Sequence, residues 1–288
     1  MKIEVINLSK RYGKKTALQN LNFLIEEPKI YGLLGKNGAG KTTFMELLSG
    51  LMRASSGELL VDGVTPFDNQ RMMENICFVG EANNFKKELK VKHVLNINRL
   101  FYPTWDHSLA EELIANFNLD MDTKVKALSK GMESALGIVV GLASKAAITI
   151  FDEPYIGLDA SSRSYFYELL IEHYDKYPRT IILSTHLIDE VSALFEEVII
   201  LENGQLLLKE EAETLRESCF SISGERQEIN NFTAEKKVIY QKDFMNERTV
   251  VLLDEDRTTI ENAGFSIHTV SLQDLIVYLT DKKREVKQ

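Results

Sequence analysis

Cysteine is scarce in this chain of 288 residues: Cys77 and Cys219 stand far apart, with no spacing that suits a metal. That excludes a disulfide framework and a thiolate metal site, and the two read as reduced cytosolic thiols packed in an interior. No apolar run is long enough to span a bilayer. The most hydrophobic stretch, 135–151, is interrupted by Lys145 and ends on Asp152-Glu153. At the start, Met1-Lys2-Ile3-Glu4-Val5 places an acid where a secretory signal needs continuous apolar residues. A role at a membrane therefore calls for another chain to cross it. Positive charge is short too. Lys and Arg number 34 against 43 Asp and Glu, a formal net charge of −9, whereas a phosphate-neutralising face needs the opposite balance. Nucleic acid is thus not an expected partner, although a local basic pocket for one nucleotide stays compatible.

What is present is an ordinary globular mixture, long enough to bury a core and divide into one larger and one smaller domain. Ile3, Val5 and Ile6, a basic turn at 10–15, and a run through Leu21 and Phe23 to Ile25 predict an antiparallel β layer. Short apolar strands are expected at 30–34, 146–151 and 180–183, and a hairpin at 198–208 across Glu202-Asn203-Gly204. Between them the spacing predicts helices over 41–51, 89–118 with a break at Pro103, 128–143, 162–174 and 188–195. Apolar strands alternating with helices imply a parallel α/β sheet covered on both faces. Past residue 210 the character changes to a charged helix at 209–217, short strands at 219–223, 237–240, 249–253 and 265–270, and a helix at 272–279. The expectation is residues 1–210 as a nucleotide-binding domain and residues 211–288 as a small α+β accessory domain.

The strongest chemical signal is Gly35-Lys36-Asn37-Gly38-Ala39-Gly40-Lys41-Thr42, a complete phosphate-binding loop between a strand and a helix. Gly35, Gly38 and Gly40, with Asn37, let backbone N–H groups turn inward on phosphates, and the helix N-terminus adds partial positive charge. Lys41 reaches the β- and γ-phosphates in such a loop, Thr42 ligates Mg2+, and Thr43 is placed for the α-phosphate. The second signal is Ile148-Thr149-Ile150-Phe151-Asp152-Glu153, an apolar strand delivering two acids at its carboxyl edge, where open α/β sheets bind ligands. Asp152 suits the Mg2+ shell, and Glu153 suits orientation and deprotonation of an attacking water.

Upstream of that strand, Leu128-Ser129-Lys130-Gly131-Met132 resembles the signature of the ATP-binding-cassette (ABC) ATPase family, Leu-Ser-Gly-Gly-Gln. Ser129 and Gly131 match; Lys130 and Met132 depart. Taken alone, Ser129 is equally a helix N-cap. Gly157-Leu158-Asp159 resembles the family's D-loop, Ser184-Thr185-His186 its switch histidine, and Tyr12 its adenine-stacking aromatic. The resemblance covers roughly residues 1–210, with several motifs in the family's order. It implies a P-loop ABC ATPase fold, a parallel core sheet with an antiparallel β layer and a helical subdomain.

The same resemblance implies ATP and Mg2+ as ligands, Glu153 and His186 as catalytic groups, and Tyr12 against the adenine. Ser129, Gly131 and Asp159 then belong to the site of a second ATPase subunit, identical or related, so that ATP joins the two. A separate transmembrane permease, docked near Glu81 and the 89–118 segment, and a place on the cytoplasmic side of the membrane follow. The signature variant, the 101–105 segment and the C-terminal domain resemble drug- and peptide-exporter ATPases. Phenol-soluble modulins or peptide antibiotics are the expected cargo. A soluble ABC protein acting on ribosomes or nucleic acid is the alternative reading, and a small-molecule kinase a remoter one. One departure stands out: the family's usual glutamine after the 76–79 strand is Glu81 here. Glu81 still offers oxygen to Mg2+ or water, at the cost of negative charge beside a triphosphate. Glu81→Gln is expected to retain hydrolysis in a phosphate-release assay; loss of most of the activity would show that the carboxylate is required.

Overall fold

The computed structural model describes residues 1–253 and 255–280. The chain opens with the hairpin β1 (Ile3–Tyr12) and β2 (Lys15–Ile25), runs through β3 (Ile30–Leu34) into the phosphate loop and α1 (Lys41–Leu48), and returns along β4 (Ser56–Val61). After α2 (Gln70–Met73) and β5 (Ile76–Val79) come three helices, α3 (Val91–Phe101), α4 (His107–Asn116) and α5 (Lys130–Ser144). Then follow β6 (Ile148–Asp152), α6 (Ala160–Lys176), β7 (Thr180–Ser184), α7 (Ile188–Val191), β8 (Glu197–Glu202) and β9 (Gln205–Glu211). The last part is α8 (Ala212–Ser218), β10 (Cys219–Glu225), α9 (Arg226–Thr233), β11 (Val238–Phe244), β12 (Glu247–Leu253), α10 (Arg257–Asn262), β13 (Ser266–Thr269) and α11 (Leu272–Thr280).

A six-stranded sheet of order β5-β6-β7-β3-β8-β9 forms the centre, parallel except for β9, which folds back on β8. Its inner strands β6, β7, β3 and β8 have few polar side chains because both faces are covered, whereas the edge strand β9 has no buried residue. The period of two sorts their residues between two cores. Ile148, Ile150, Ile182 and Leu33 point to one core, shared with α1 and the antiparallel sheet β2-β1-β4. Phe151, Ile181, Leu183, Leu34 and Val79 point to the other, shared with α3, α4, α5 and α6. These are the elements the ABC ATPase fold requires, and the expected fold class is observed.

The helix starts are written in the sequence. Asp106 accepts from Leu109 N at 3.0 Å to cap α4, Ser129 from Met132 N at 3.2 Å to cap α5, and Asp159 from Ser162 N at 2.8 Å to cap α6. Two-fold buried α5 needs small residues where it crosses the sheet. A Cβ at Gly137 would meet Val79 Cγ1 at 2.8 Å, and one at Gly141 would meet the Phe151 ring at 2.4 Å.

Where the structure differs from the sequence expectation, the cause is local. The segment 209–217, expected as helix, starts as strand: β9 continues to Glu211 because its backbone pairs with β8 and Lys209 forms an ion pair with Glu197. The helix begins only at Ala212. Helices α9 and α10 were not anticipated, since each buries a single apolar side chain, Ile229 and Ile260. The antiparallel sheet β11-β12-β10-β13 has its own small core around Phe220, Ile222, Val250 and Leu252. Ala212, Leu215, Leu272, Leu275 and Ile276 join the larger core instead. At the end of α11 the Thr280 carbonyl accepts from Lys36 Nζ, in the phosphate loop, at 2.8 Å.

Packing at Gly141 gives a test of the α5–sheet contact. Gly→Ala gains about 1 kcal/mol of helix propensity, but overlap with a fully buried ring costs about 1–3 kcal/mol. Gly141→Ala is therefore expected to lower the urea midpoint with unchanged slope; a raised midpoint would show that the helix can move away from Phe151.

Candidate functional site

The phosphate loop leaves β3 and enters α1 through Gly40, whose φ of 107° and close approach to Ala17 O, 2.8 Å from an imagined Cβ, admit no side chain. No side chain caps α1, which leaves its first-turn N–H groups for an anion. Lys41 is buried, and its Nζ donates to Gly35 O at 2.6 Å. Burial lowers its pKa, and the nearby Glu153 and Asp152 oppose that shift. The ammonium is thus held by a loop carbonyl and faces the Asp152 and Glu153 carboxylates.

Asp152 ends β6 and is buried, with each oxygen satisfied by a hydroxyl. Thr42 Oγ1 donates to Oδ2 and Ser184 Oγ to Oδ1, both at 2.7 Å. Glu153 leaves the strand with φ 51°, a left-handed conformation rarely adopted by residues with a side chain. Its N–H bonds Ser184 O at 3.2 Å. The carboxylate turns to the segment after β7, where His186 Nδ1 lies 2.6 Å from Oε2 and the Tyr155 hydroxyl donates to the same oxygen. Burial, then the bond to Glu153, raise the Tyr155 pKa far above its ordinary value, so the phenol keeps its proton.

A groove of about 480 Å3 collects Tyr12, Asn37, Gly38, Gly40, Lys41, Thr42, Thr43, Glu81, Asp152 and Glu153. Gly35 contributes through its carbonyl on Lys41, and His186 through Glu153. A larger groove, about 1080 Å3 and lined by residues between 47 and 68, touches none of the motif residues. Tyr12 is exposed at the groove, its hydroxyl 3.1 Å from Met52 Sδ. Glu81 Oε1 stands 3.9 Å from Lys130 Nζ, so two of the three departures from the family pattern carry opposite charges beside each other. Both are more than half exposed, and such a pair contributes about 0–1 kcal/mol.

Ser129, Gly131 and Asp159 lie outside the groove. Ser129 and Asp159 cap helices, and hydrogen bonds led by Ser162 N hold the Asp159 pKa low. Gly131 is pressed against the loop that follows Glu153, where a Cβ would meet Gly157 O at 2.3 Å. Ser134 Oγ donates to Ile156 O at 2.7 Å in the same contact. The signature segment and the loop after the acid are thus packed backbone to backbone.

Sequence reasoning missed Tyr155, and assigned Ser184 and Thr185 no separate part. The bonds from Tyr155 to Thr185 and from Ser184 to Asp152 span some thirty residues of chain, and the adjacency of β6 and β7 brings them together. Among the described residues no group of three His, Cys, Asp or Glu side chains forms a metal cage. The Thr42 hydroxyl and the Asp152 carboxylate, 2.7 Å apart, are oxygen groups of the kind a hard cation takes.

Comparison with known proteins agrees with this geometry. The family described as ABC transporter matches residues 18–156. The chain is 29% identical over 220 residues to ABC transporter ATP-binding protein YtrB of Bacillus subtilis, covering 76% of this chain and 75% of that one. It is 31% identical over 208 residues to the bacitracin transport ATP-binding protein BcrA of Bacillus licheniformis, covering 71% and 68%. A solved ATP-binding subunit of an ABC transporter superimposes with a TM-score of 0.67 at 26% identity, over 75% of this chain and 92% of that one.

Lys41→Ala removes the buried cation while leaving the loop backbone intact. Charged hydrogen bonds contribute about 1.5–3 kcal/mol, so ATP affinity by calorimetry is expected to fall by at least about tenfold. Unchanged affinity would remove Lys41 from the binding site.

Proposed function

The chain belongs to the ABC transporter ATPase family, and on that premise we propose that it powers the export of amphipathic peptides through a separate membrane permease. It is an ATP-binding, ATP-hydrolysing subunit. Among its described residues no helix is long and apolar enough to cross a membrane. We place it on the cytoplasmic side, bound to the permease.

In this reading the adenine stacks on Tyr12, and the triphosphate lies along Asn37, Gly38, Gly40 and the first turn of α1. Lys41 and Thr43 contact the phosphates. Thr42, Asp152 and Glu81 would hold Mg2+, which would neutralise negative charge on the triphosphate. Glu153 accepts a proton from the water that attacks the γ-phosphorus, while the bond to the ADP oxygen breaks. His186 leaves Glu153 to meet the γ-phosphate. Ser129 and Gly131 complete the site of a second ATPase subunit, with Asp159 between the two. The contact of Gly131 with Gly157 supports this division, because it joins the half-site offered to a partner to the loop behind the chain's own acid.

The observation that carries the transport reading is on α3. Val91, Val94 and Leu95 bury one side of this helix. Ile97, Leu100 and Phe101 repeat the same helical spacing on residues left exposed, Leu100 at 80%. Leu100 and Phe101, with Tyr102, Pro103 and Trp105 and the polar Glu74, Arg99 and His107, line a groove of about 470 Å3. A short cytoplasmic helix of a permease fits such a surface, read at three- and four-residue intervals. The name of BcrA supports a peptide-antibiotic type of cargo, and phenol-soluble modulins are the toxin peptides we expect. Residues 211–288, of which 254 and 281–288 lie outside the described residues, serve as an accessory domain with an interaction role, and residues 1–210 as the nucleotide-binding domain.

Cells lacking the chain are expected to become more sensitive to added amphipathic peptides, and the wild-type chain to restore resistance. Leu100→Asp is expected to keep the ATPase rate of the purified protein yet fail to restore resistance. Equal sensitivity with and without the chain would end the exporter reading while leaving the ATPase intact.

A further inference from the structure

We propose that Tyr155 is a positioning residue that fixes which oxygen of Glu153 acts on water and ties that acid to the switch segment 184–187; this rests on reading Glu153 as the hydrolytic base. Tyr155 is 3% exposed, and its ring lies edge-on to His186 with centroids 5.7 Å apart. A phenol has one proton and two lone pairs, and here all three are engaged. The proton goes to Glu153 Oε2, because an ionised carboxylate only accepts. One lone pair receives the backbone N–H of His186 at 3.0 Å. The other receives the Thr185 hydroxyl at 2.5 Å. Thr185 Oγ1 in turn accepts from Leu187 N at 2.9 Å, which leaves its own proton for the phenol.

The result is a directional chain from Leu187 N–H through Thr185 and Tyr155 to Glu153. Each bond polarises the next, and reversal would set two donors against each other. Oε2 is held from one side by the phenol and from the other by His186 Nδ1. Among the described residues Oε1 has no hydrogen-bond partner, so it is the oxygen free to take a proton from water. Tyr155 also sits on a loop anchored to α5 through Ile156 and Gly157. When His186 turns to a phosphate, the phenol still holds Oε2, and any shift of the 184–187 backbone carries Glu153 with it. The tyrosine touches no substrate in this scheme and acts through Glu153.

Tyr155→Phe deletes the hydroxyl and keeps the ring. Misplacement of a reacting group costs up to about a hundredfold in rate, so kcat for MgATP is expected to fall by roughly ten- to a hundredfold. KM and ATP affinity stay at wild-type values, a split that simple loss of packing would not give. Thr185→Val is expected to slow turnover in the same way, and Thr185→Ser to restore it. The serine–valine pair decides the matter even if Tyr155→Phe fails to fold. Glu153→Gln is run in parallel: wild-type turnover in that variant overturns the assignment of the base. If Glu153→Gln is inactive while Tyr155→Phe and Thr185→Val turn over normally, the positioning role is overturned alone.

Discussion

Two adjacent carboxylates at the carboxyl edge of a buried strand set the terms for the whole structure. Asp152 and Glu153 must sit side by side without sharing partners, and the surrounding elements separate them. Asp152 stays in line with β6 and takes hydroxyls from Thr42 and Ser184. Glu153 is turned aside by a left-handed backbone and takes Tyr155 and His186. Lys41 stands in the same groove, desolvated by its burial. The cost of the strained backbone, about 1–3 kcal/mol, is carried by the two cores that clamp β6 between α1 and α5. An acid pair, a buried cation and an uncapped helix start are what a magnesium-bound triphosphate can satisfy together.

The same packing makes the site directional across the chain. The loop after Glu153 presses Gly157 against Gly131, so the signature segment cannot move freely of the acid. At the other side, Lys36 reaches from the phosphate loop to the end of α11. The loop behind Glu153 and the phosphate loop are thus each in direct contact with another part of the chain, the 129–131 segment and the end of α11. The Gly131–Gly157 contact is backbone against backbone, which favours movement of whole elements over local adjustment there, whereas the α11 contact runs through one lysine side chain.

Legibility followed burial. Strands β3, β6 and β7 read clearly because both faces are covered and their side chains are almost all apolar. The starts of α4, α5 and α6 carry Asp or Ser caps that can be seen in any sequence. The phosphate loop and the acid pair are local motifs, and the structure places them in one groove. Strand β4 was missed because only Leu59 and Val61 are buried in it. The extension of β9 over charged residues was misread as helix because backbone pairing with β8, invisible in the pattern, decides its conformation. Ser184 and Thr185 acquire their roles from strand adjacency, and Tyr155 reaches Glu153 two residues back only because the left-handed turn at Glu153 brings the two side chains together.

In the proposed function Glu153 takes the proton from water and ATP joins this chain to a second ATPase subunit, identical or related, of which a second copy is the one that purified protein supplies. Light scattering on purified Glu153→Gln protein, with and without MgATP, tests it most directly. The account predicts that the mass doubles in the presence of ATP and returns to that of one chain when nucleotide is removed. A protein that binds ATP yet keeps the mass of a single chain would contradict it.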